Sequence, residues 1–279
     1  MSGNLPVDAA RIAEDIDALA RLTEPDRPWT RRVFSPLFLE GRAYIEARMR
    51  SAGLETRVDA AGNLIGRRAG NRRAKGVIML GSHSDTVPDG GRFDGVAGVV
   101  AALEIARSLA ERGVDLAHDL EIVDFLAEEV SPFGVSCIGS RGMTGQMPEA
   151  WLMRRNESGA LADALASAGG DPAAVLKQGR PDIAAFLELH IEQGPALERE
   201  GRDIGLVTGI AGISRFEILI EGQPDHAGTT PMDARADALV AASDLVLKIR
   251  DEALRLSRKP CRFAATVGEF SVAPNAANV

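Results

Sequence analysis

Cysteine is scarce: only Cys137 and Cys261 occur, far apart and without metal-ligand spacing. That argues against a disulfide framework and fits a reducing compartment, with both thiols read as small core hydrophobes. Long apolar runs are absent, and the opening MSGNLPVDAARIAEDIDALARL breaks its apolar pattern with acids where an export signal would be continuous. The expected location is therefore the cytoplasm. Positive charge is in deficit, because 32 basic residues face 40 acidic ones for a net charge of −8. Such a field repels phosphate backbones and anionic membranes, so neither nucleic acid nor membrane is an expected partner. No G-x-G-x-x-G or P-loop spacing follows a strand pattern, and no G-x-S-x-G elbow offers a serine nucleophile. Repeats and low-complexity tracts are missing too.

What is present is an alternation of strand and helix patterns. Ile12, Ile16 and Leu19 recur at helical spacing behind Asp8, and a second helix has Ser35 as N-cap, Pro36 at its first position and Gly53 beyond its end. LETRV and NLIGRR flank the turn residues DAAGN as a hairpin, and GVIMLGS reads as a buried strand. Val96, Val99, Val100, Leu103, Ala106 and Ala110 trace one helical face that ends at Gly113. DLEIVDFL and AAFLELHIEQG are read as two further buried strands. Three strands thus deliver polar residues at their carboxyl ends, the edge where ligands bind in open α/β sheets. Beyond Gly209–Gly212 an alternating strand ISRFEILIEG, a loop QPDHAGTT, a helix from Pro231 to about Leu254 and a strand RFAATVGEFSV read as the start of a second α+β domain.

His83 and Asp85 stand two apart just past a strand, so an extended backbone would let Asp85 orient the His83 ring, as carboxylates do behind zinc-bound imidazoles. Asp94 reads singly as an N-cap, but the Gly-Gly turn before it lets the chain double back toward His83, where a bridging carboxylate would fit. Glu128 and Glu129 end an apolar strand, where each would raise the other's pKa. On an extended chain they point to opposite sides, one toward metal and the other toward a metal-activated water. His190 lies in LELHIEQG, read as a central strand with Glu192 on the same face; a packed core histidine is the alternative. His118 is read as structural. Two imidazoles, an Asp and a Glu from separate segments suit a divalent ion, and a two-metal site would make a shared water nucleophilic near neutral pH, with Glu128 as general base.

The runs GSHSDTVPDGGRFDG, AEEVSPFGVSCIGSRG, LELHIEQGPALE, DHAGTTPMDAR and PNAANV together resemble the hydantoinase/carbamoylase family of amidases, the N-carbamoyl-L-amino-acid hydrolase branch of the dinuclear-zinc aminoacylase and carboxypeptidase superfamily. The resemblance implies an α/β zinc-peptidase-like catalytic domain, a central mixed sheet flanked by helices, over 1–210. It implies an incomplete α+β lid or dimerisation domain over 211–279, and a homodimer. Two divalent ions are implied, zinc first, with manganese, cobalt or nickel as alternatives. His83, Asp94 and His190 would hold one ion, and Asp94 and Glu129 the other. Glu128 would be the base, Asp85 the carboxylate behind the metal-bound His83, Gln193 and Asn278 substrate contacts, and His226 the lid residue that reaches a neighbouring subunit's site to polarise the scissile carbonyl. Without the resemblance, His226 reads as a loop residue bonded to Asp225 or Thr229.

The implied substrate is an N-carbamoyl-L-amino acid; the alternatives are β-ureidopropionate, allantoate, ureidoglycolate or a peptide. The chain departs from the family pattern at Val130, where many members place glycine. The family's carboxylate-binding arginine and second-zinc histidine would follow Val279. These 279 residues alone are therefore expected to be weakly active or an inactive remnant.

Overall fold

The computed structural model describes residues 5–72, 75–258 and 263–278; Cys261, read above as a core residue, lies outside them. The chain divides into two compact units, Met1–Glu200 and Gly201–Val279. No helix among the described residues is long and apolar enough to cross a membrane.

The first unit opens with α1 (Ala9–Ala20) and α2 (Pro36–Ser51). Asp8 caps α1 by accepting the amides of Ala10 and Arg11, and Ser35 caps α2 through Phe38 N–H. Each cap satisfies an amide that the helix itself leaves unpaired. After α2 the chain turns at Gly53, and β1 (Glu55–Val58) and β2 (Leu64–Arg68) form the expected hairpin, with Val58 opposite Leu64. Then come β3 (Val77–His83), α3 (Val96–Glu111) and β4 (Asp119–Phe125). The remaining elements are α4 (Ile138–Met143), a two-residue pair β5 (Arg155–Asn156) and β6 (Gly159–Ala160), α5 (Leu161–Ser167), β7 (Ile183–Leu187) and α6 (Ala196–Arg199).

The main sheet runs β1-β2-β4-β3-β7. β3 is parallel to both β4 and β7, whereas β2 is antiparallel to β4, so the sheet is mixed. Every residue of β4 is buried, as a central strand covered on both faces requires. On one face Ile122 and Leu120 pack with Ile16, Ile45, Val99 and Leu103 from the first three helices; on the other, Val123 and Phe125 meet Ile65, Met79 and Met143. Each such aliphatic side chain, fully buried, stabilises the fold by about 1.5–3 kcal/mol. Because β3, β4 and β7 are parallel, their carboxyl ends emerge along one edge.

β7 differs from its sequence reading. It is an edge strand with no partner on its outer side among the described residues, and Phe186, Leu187 and Leu189 are exposed. Apolar composition marks a strand as able to be buried, but neighbours decide whether it is.

The second unit carries one long helix, α7 (Ala238–Ser257), capped by Asp237 through the amides of Leu239 and Val240. The helix begins seven residues later than expected, because the chain after Pro231 forms only a short turn at Met232–Ala234 and then extends. The segments 213–222 and 263–272, read as strands, pair with no strand among the described residues, and Phe216 is 86% exposed. An alternating pattern yields a strand only where a hydrogen-bonding neighbour and an apolar surface receive it.

Candidate functional site

His83 ends β3 and is fully buried. Its Nδ1 lies 3.0 Å from the backbone carbonyl of Asp85. A carbonyl only accepts, so Nδ1 carries the proton and Nε2 faces the sheet edge. His190, three residues past β7, repeats the arrangement: its Nδ1 is 2.8 Å from the carbonyl of Ile191. The two rings stack with centroids 6.0 Å apart.

Between their Nε2 atoms sits Oδ1 of Asp94, 3.1 Å from His190 and 4.0 Å from His83. That oxygen is buried and has no hydrogen-bond partner among the described residues, while Oδ2 accepts from Gln193 Nε2 at 2.7 Å. Asp94 is not the helix cap that it resembles in isolation. Gly95 takes the N-cap position with φ +63° and no side-chain cap, which frees the Asp94 carboxylate to turn inward. A Cβ on Gly95 would stand 2.5 Å from the His83 ring, so the histidine and the helix start are fitted to each other.

The Glu128–Glu129 pair follows β4 through Ala127, which adopts a positive φ of 51°. This left-handed residue turns the chain ahead of the pair, and the two carboxylates converge rather than diverge as an extended backbone would dictate. One oxygen from each lies within 4.8 Å of the other and of a His83 ring nitrogen. Glu128 Oε2 is 3.5 Å from His83 Nε2 and the side chain is 40% exposed, accessible from outside the sheet edge. Asp85 does more than its expected task. Its carboxylate accepts the amides of Glu128 and Glu129 at 3.3 and 3.2 Å, and its nearer approach to the His83 ring is through the backbone carbonyl, the carboxylate being 3.6 Å away.

Electrostatics follow from this crowding. Burial opposes charge on His83, but hydrogen bonding to Asp85 and the charges of Asp85 and Glu128 outweigh it and raise the pKa to about 10. Burial, reinforced by Glu128, Asp94 and Asp85 against the opposing effect of His83, pushes Glu129 up to about 7. Four carboxylates around two imidazoles hold an excess of negative charge that a cation relieves.

Beneath the cluster, Ser84 donates to the fully buried Asp124, which is paired with Arg42 at 3.4 Å. Sequence reasoning missed these partners because nothing in their spacing distinguishes them from ordinary strand residues. Cys137 was read as a core hydrophobe; it is half-buried, with Sγ 3.7 Å from Glu128 Oε1. Its place in the run CIGSR was the available signal.

In the second unit, Nδ1 of His226 accepts the amides of Gly228 and Thr229 at 3.1 and 3.2 Å, which puts the ring proton on Nε2. The neighbouring Ala227 amide donates to the carbonyl of Asn278 at 3.1 Å, so these two sequence-selected residues share one loop cluster. The remaining seven, His83, Asp85, Asp94, Glu128, Glu129, His190 and Gln193, converge in the first unit.

His83, Asp94 and His190 offer three ligand atoms within 4.8 Å of one another, and His83, Glu128 and Glu129 offer a second set. The orphaned Asp94 oxygen between two ring nitrogens fits a divalent cation, and the nitrogen and oxygen donors suit zinc and its first-row neighbours. Fold and site together define an α/β protein with a cluster of His, Asp and Glu side chains, able to hold a metal ion, at the carboxyl edge of a mixed sheet. The model for peptidase family M20/M25/M40 matches residues 79–276, and the chain belongs to that family. It is 40% identical to an N-carbamoyl-L-amino acid amidohydrolase of Geobacillus stearothermophilus, over 92% of this chain and 62% of that protein. It is also 40% identical to an allantoate amidohydrolase of Bacillus subtilis, over 96% of this chain and 65% of that one. A hydantoinase/carbamoylase family amidase from Burkholderia ambifaria shares the fold with TM-score 0.78 and 33% identity, over 99% of this chain and 67% of that one. The chain thus spans a little under two thirds of these curated relatives.

Proposed function

We propose that the protein is a metal-dependent amidohydrolase that cleaves the carbamoyl C–N bond of an N-carbamoyl-L-amino acid, giving the amino acid, ammonia and carbon dioxide. The observation that carries this reading is the buried, unpartnered Asp94 oxygen flanked by two imidazole Nε2 atoms. In the reading, His83, Asp94 and His190 hold one divalent ion, and Asp94 and Glu129 hold a second, with zinc as the first choice. Such ions supply Lewis acidity and lower the pKa of water. Glu128, half in solvent beside the cluster, takes the proton of the attacking water and returns it to the departing nitrogen. Asp85 fixes the amides from which both glutamates hang. Gln193 and Asn278 contact substrate, and His226, with its proton held on Nε2, donates to the carbonyl oxygen as negative charge develops there. The second unit, on this reading, is a lid through which the protein forms a cytoplasmic homodimer.

The likeness to an allantoate amidohydrolase keeps other ureido acids, ureidoglycolate and β-ureidopropionate among them, in the substrate panel. Ammonia release from these compounds and from an N-carbamoyl-L-amino acid, set against free amino-acid release from a dipeptide, by zinc-loaded protein of measured metal content, tests the proposal. A rate on the carbamoyl substrate that is weak for these 279 residues alone, yet exceeds the others and disappears in Glu128→Gln, is expected. No rate above background in folded, metal-loaded protein, or faster dipeptide cleavage, would overturn it.

A further inference from the structure

Asn63 ends the turn between β1 and β2, is completely buried, and uses every polar atom of its side chain. Oδ1 accepts Leu126 N–H at 3.0 Å, and Nδ2 donates to the carbonyl of Gly139 and to Asp59 Oδ2, both at 3.0 Å. The amide orientation is forced, because an N–H requires an acceptor and a carbonyl a donor. The turn that presents it is itself tied, with Asn63 N–H on Asp59 Oδ1 and Asp59 N–H on the carbonyl of Asn63.

Leu126 and Gly139 are the two ends of the segment that carries Glu128, Glu129 and Cys137. Their backbones are already joined: Gly139 N–H donates to Leu126 O at 2.8 Å, Ile138 N–H to Ala127 O at 3.1 Å, and Cys137 N–H to Glu128 O at 3.0 Å. Asn63 closes the neck of this loop by pairing with the outward Leu126 N–H and the outward Gly139 carbonyl, as a neighbouring strand would. The joint is tight: a Cβ on Gly139 would stand 2.0 Å from Asn63 Oδ1 and 2.6 Å from Leu126 N. Two residues beyond Leu126, Asp85 holds the amides of Glu128 and Glu129.

We propose that Asn63 is a positioning residue for the reaction, setting the Glu128 carboxylate by locking the neck of the 126–139 loop without touching substrate or metal. The proposal rests on the role given to Glu128 above. Removing the Asn63 amide leaves Leu126 N–H or Gly139 O buried and unpaired, which the loop relieves only by opening. Opening the neck turns the backbone from which Glu128 projects, while the His83, Asp94 and His190 group, at the end of β3, just before α3 and just past β7, stays in place.

The test is Asn63→Asp, which keeps shape and the acceptor for Leu126 but sets a carboxylate oxygen against Gly139 O and the Asp59 carboxylate. Gly139→Ala disturbs the same joint from the loop side. Backbone hydrogen exchange followed by mass spectrometry should quicken at least about ten-fold across 126–139 in both variants and stay within about two-fold across β3 and β4. On the N-carbamoyl substrate, kcat should fall about ten-fold or more with KM changed less than about two-fold. Exchange unchanged across 126–139, or raised equally throughout the sheet, would overturn the proposal, as would a loss confined to KM. The exchange result stands whether or not the carbamoyl substrate is turned over, so a failure of the proposed activity and a failure of the neck are told apart.

Discussion

Oδ1 of Asp94 lies 3.1 Å from Nε2 of His190, and no hydrogen-bond donor among the described residues satisfies it. A buried carboxylate oxygen left in this state costs stability unless a cation occupies the gap. Asp94→Asn and His190→Ala should therefore each weaken zinc binding by more than about 100-fold, beyond the usual loss when only a supporting group is removed. Competition with a chromogenic chelator measures this. Wild-type affinity in either variant would remove the pair from the ligand set.

Glu128 behaves differently if its task is proton transfer. Glu128→Gln keeps the volume and a carbonyl oxygen but cannot accept the proton, so turnover should fall by about 10²–10⁴. Zinc stoichiometry should not change. Paired activity assays and metal analysis on the same preparation check both halves; equal losses of metal and rate would move Glu128 into the ligand set formed by His83, Glu128 and Glu129.

Metal uptake should also release protons. In the metal-free protein His83 is raised to about 10, against burial, by the hydrogen bond to Asp85 and the charges of Asp85 and Glu128, and Glu129 is raised to about 7, chiefly by burial. Both must be deprotonated to bind a cation. The sign follows: below pH 7 two protons compete with the metal, between 7 and 10 one does, so affinity rises with pH throughout. Summed over the two ions, of which His83 helps to hold one and Glu129 the other, the expected slope is about two decades per pH unit below 7 and about one above it. Calorimetry in buffers of different ionisation enthalpy counts the released protons; an affinity flat from pH 6 to 9 would contradict this prediction.

How much of this was legible in sequence depends on how local each cause is. The Asp8 and Ser35 caps, the hairpin around DAAGN, and the β3, α3 and β4 elements follow from residues within one turn or strand of each other, and the structure reproduces them. His83, Asp94, Glu128, Glu129 and His190 were found because strand ends in a parallel arrangement must share an edge. What stayed hidden depends on contacts across the sheet. Both glutamate carboxylates converge beyond a left-handed Ala127, and nothing about alanine announces φ +51°. Asn63 reads as a turn residue, and its hold on Leu126 and Gly139 appears only once β2 pairs with β4. The exposed β7 and the unpaired segments of the second unit carry strand-like patterns whose outcome is decided by neighbours rather than by composition.

Two glycines allow the fit between His83 and the start of α3 to be measured against an internal control. Gly95 and Gly113 bracket α3 with nearly the same φ, +63° and +60°. Alanine at either must hold a positive φ, which costs roughly 1–2 kcal/mol in the left-handed region and more at Gly95, whose ψ of −44° lies outside that region. At Gly113 nothing lies within 4 Å of the new Cβ, so the variant should lose only that amount and bind metal normally. At Gly95 the Cβ meets the His83 carbonyl at 2.4 Å and the His83 ring at 2.5 Å, so the ring, the strand end or the helix must move. Thermal unfolding should therefore fall further for Gly95→Ala than for Gly113→Ala, and zinc affinity should drop only in the former. Equal unfolding shifts with unchanged metal binding would mean that His83 accommodates the methyl group and that the approach of helix to histidine does not set the ligand geometry. A larger shift with normal metal binding would assign the difference to stability alone, backbone strain at Gly95 included, and remove the helix start from the control of ligand geometry.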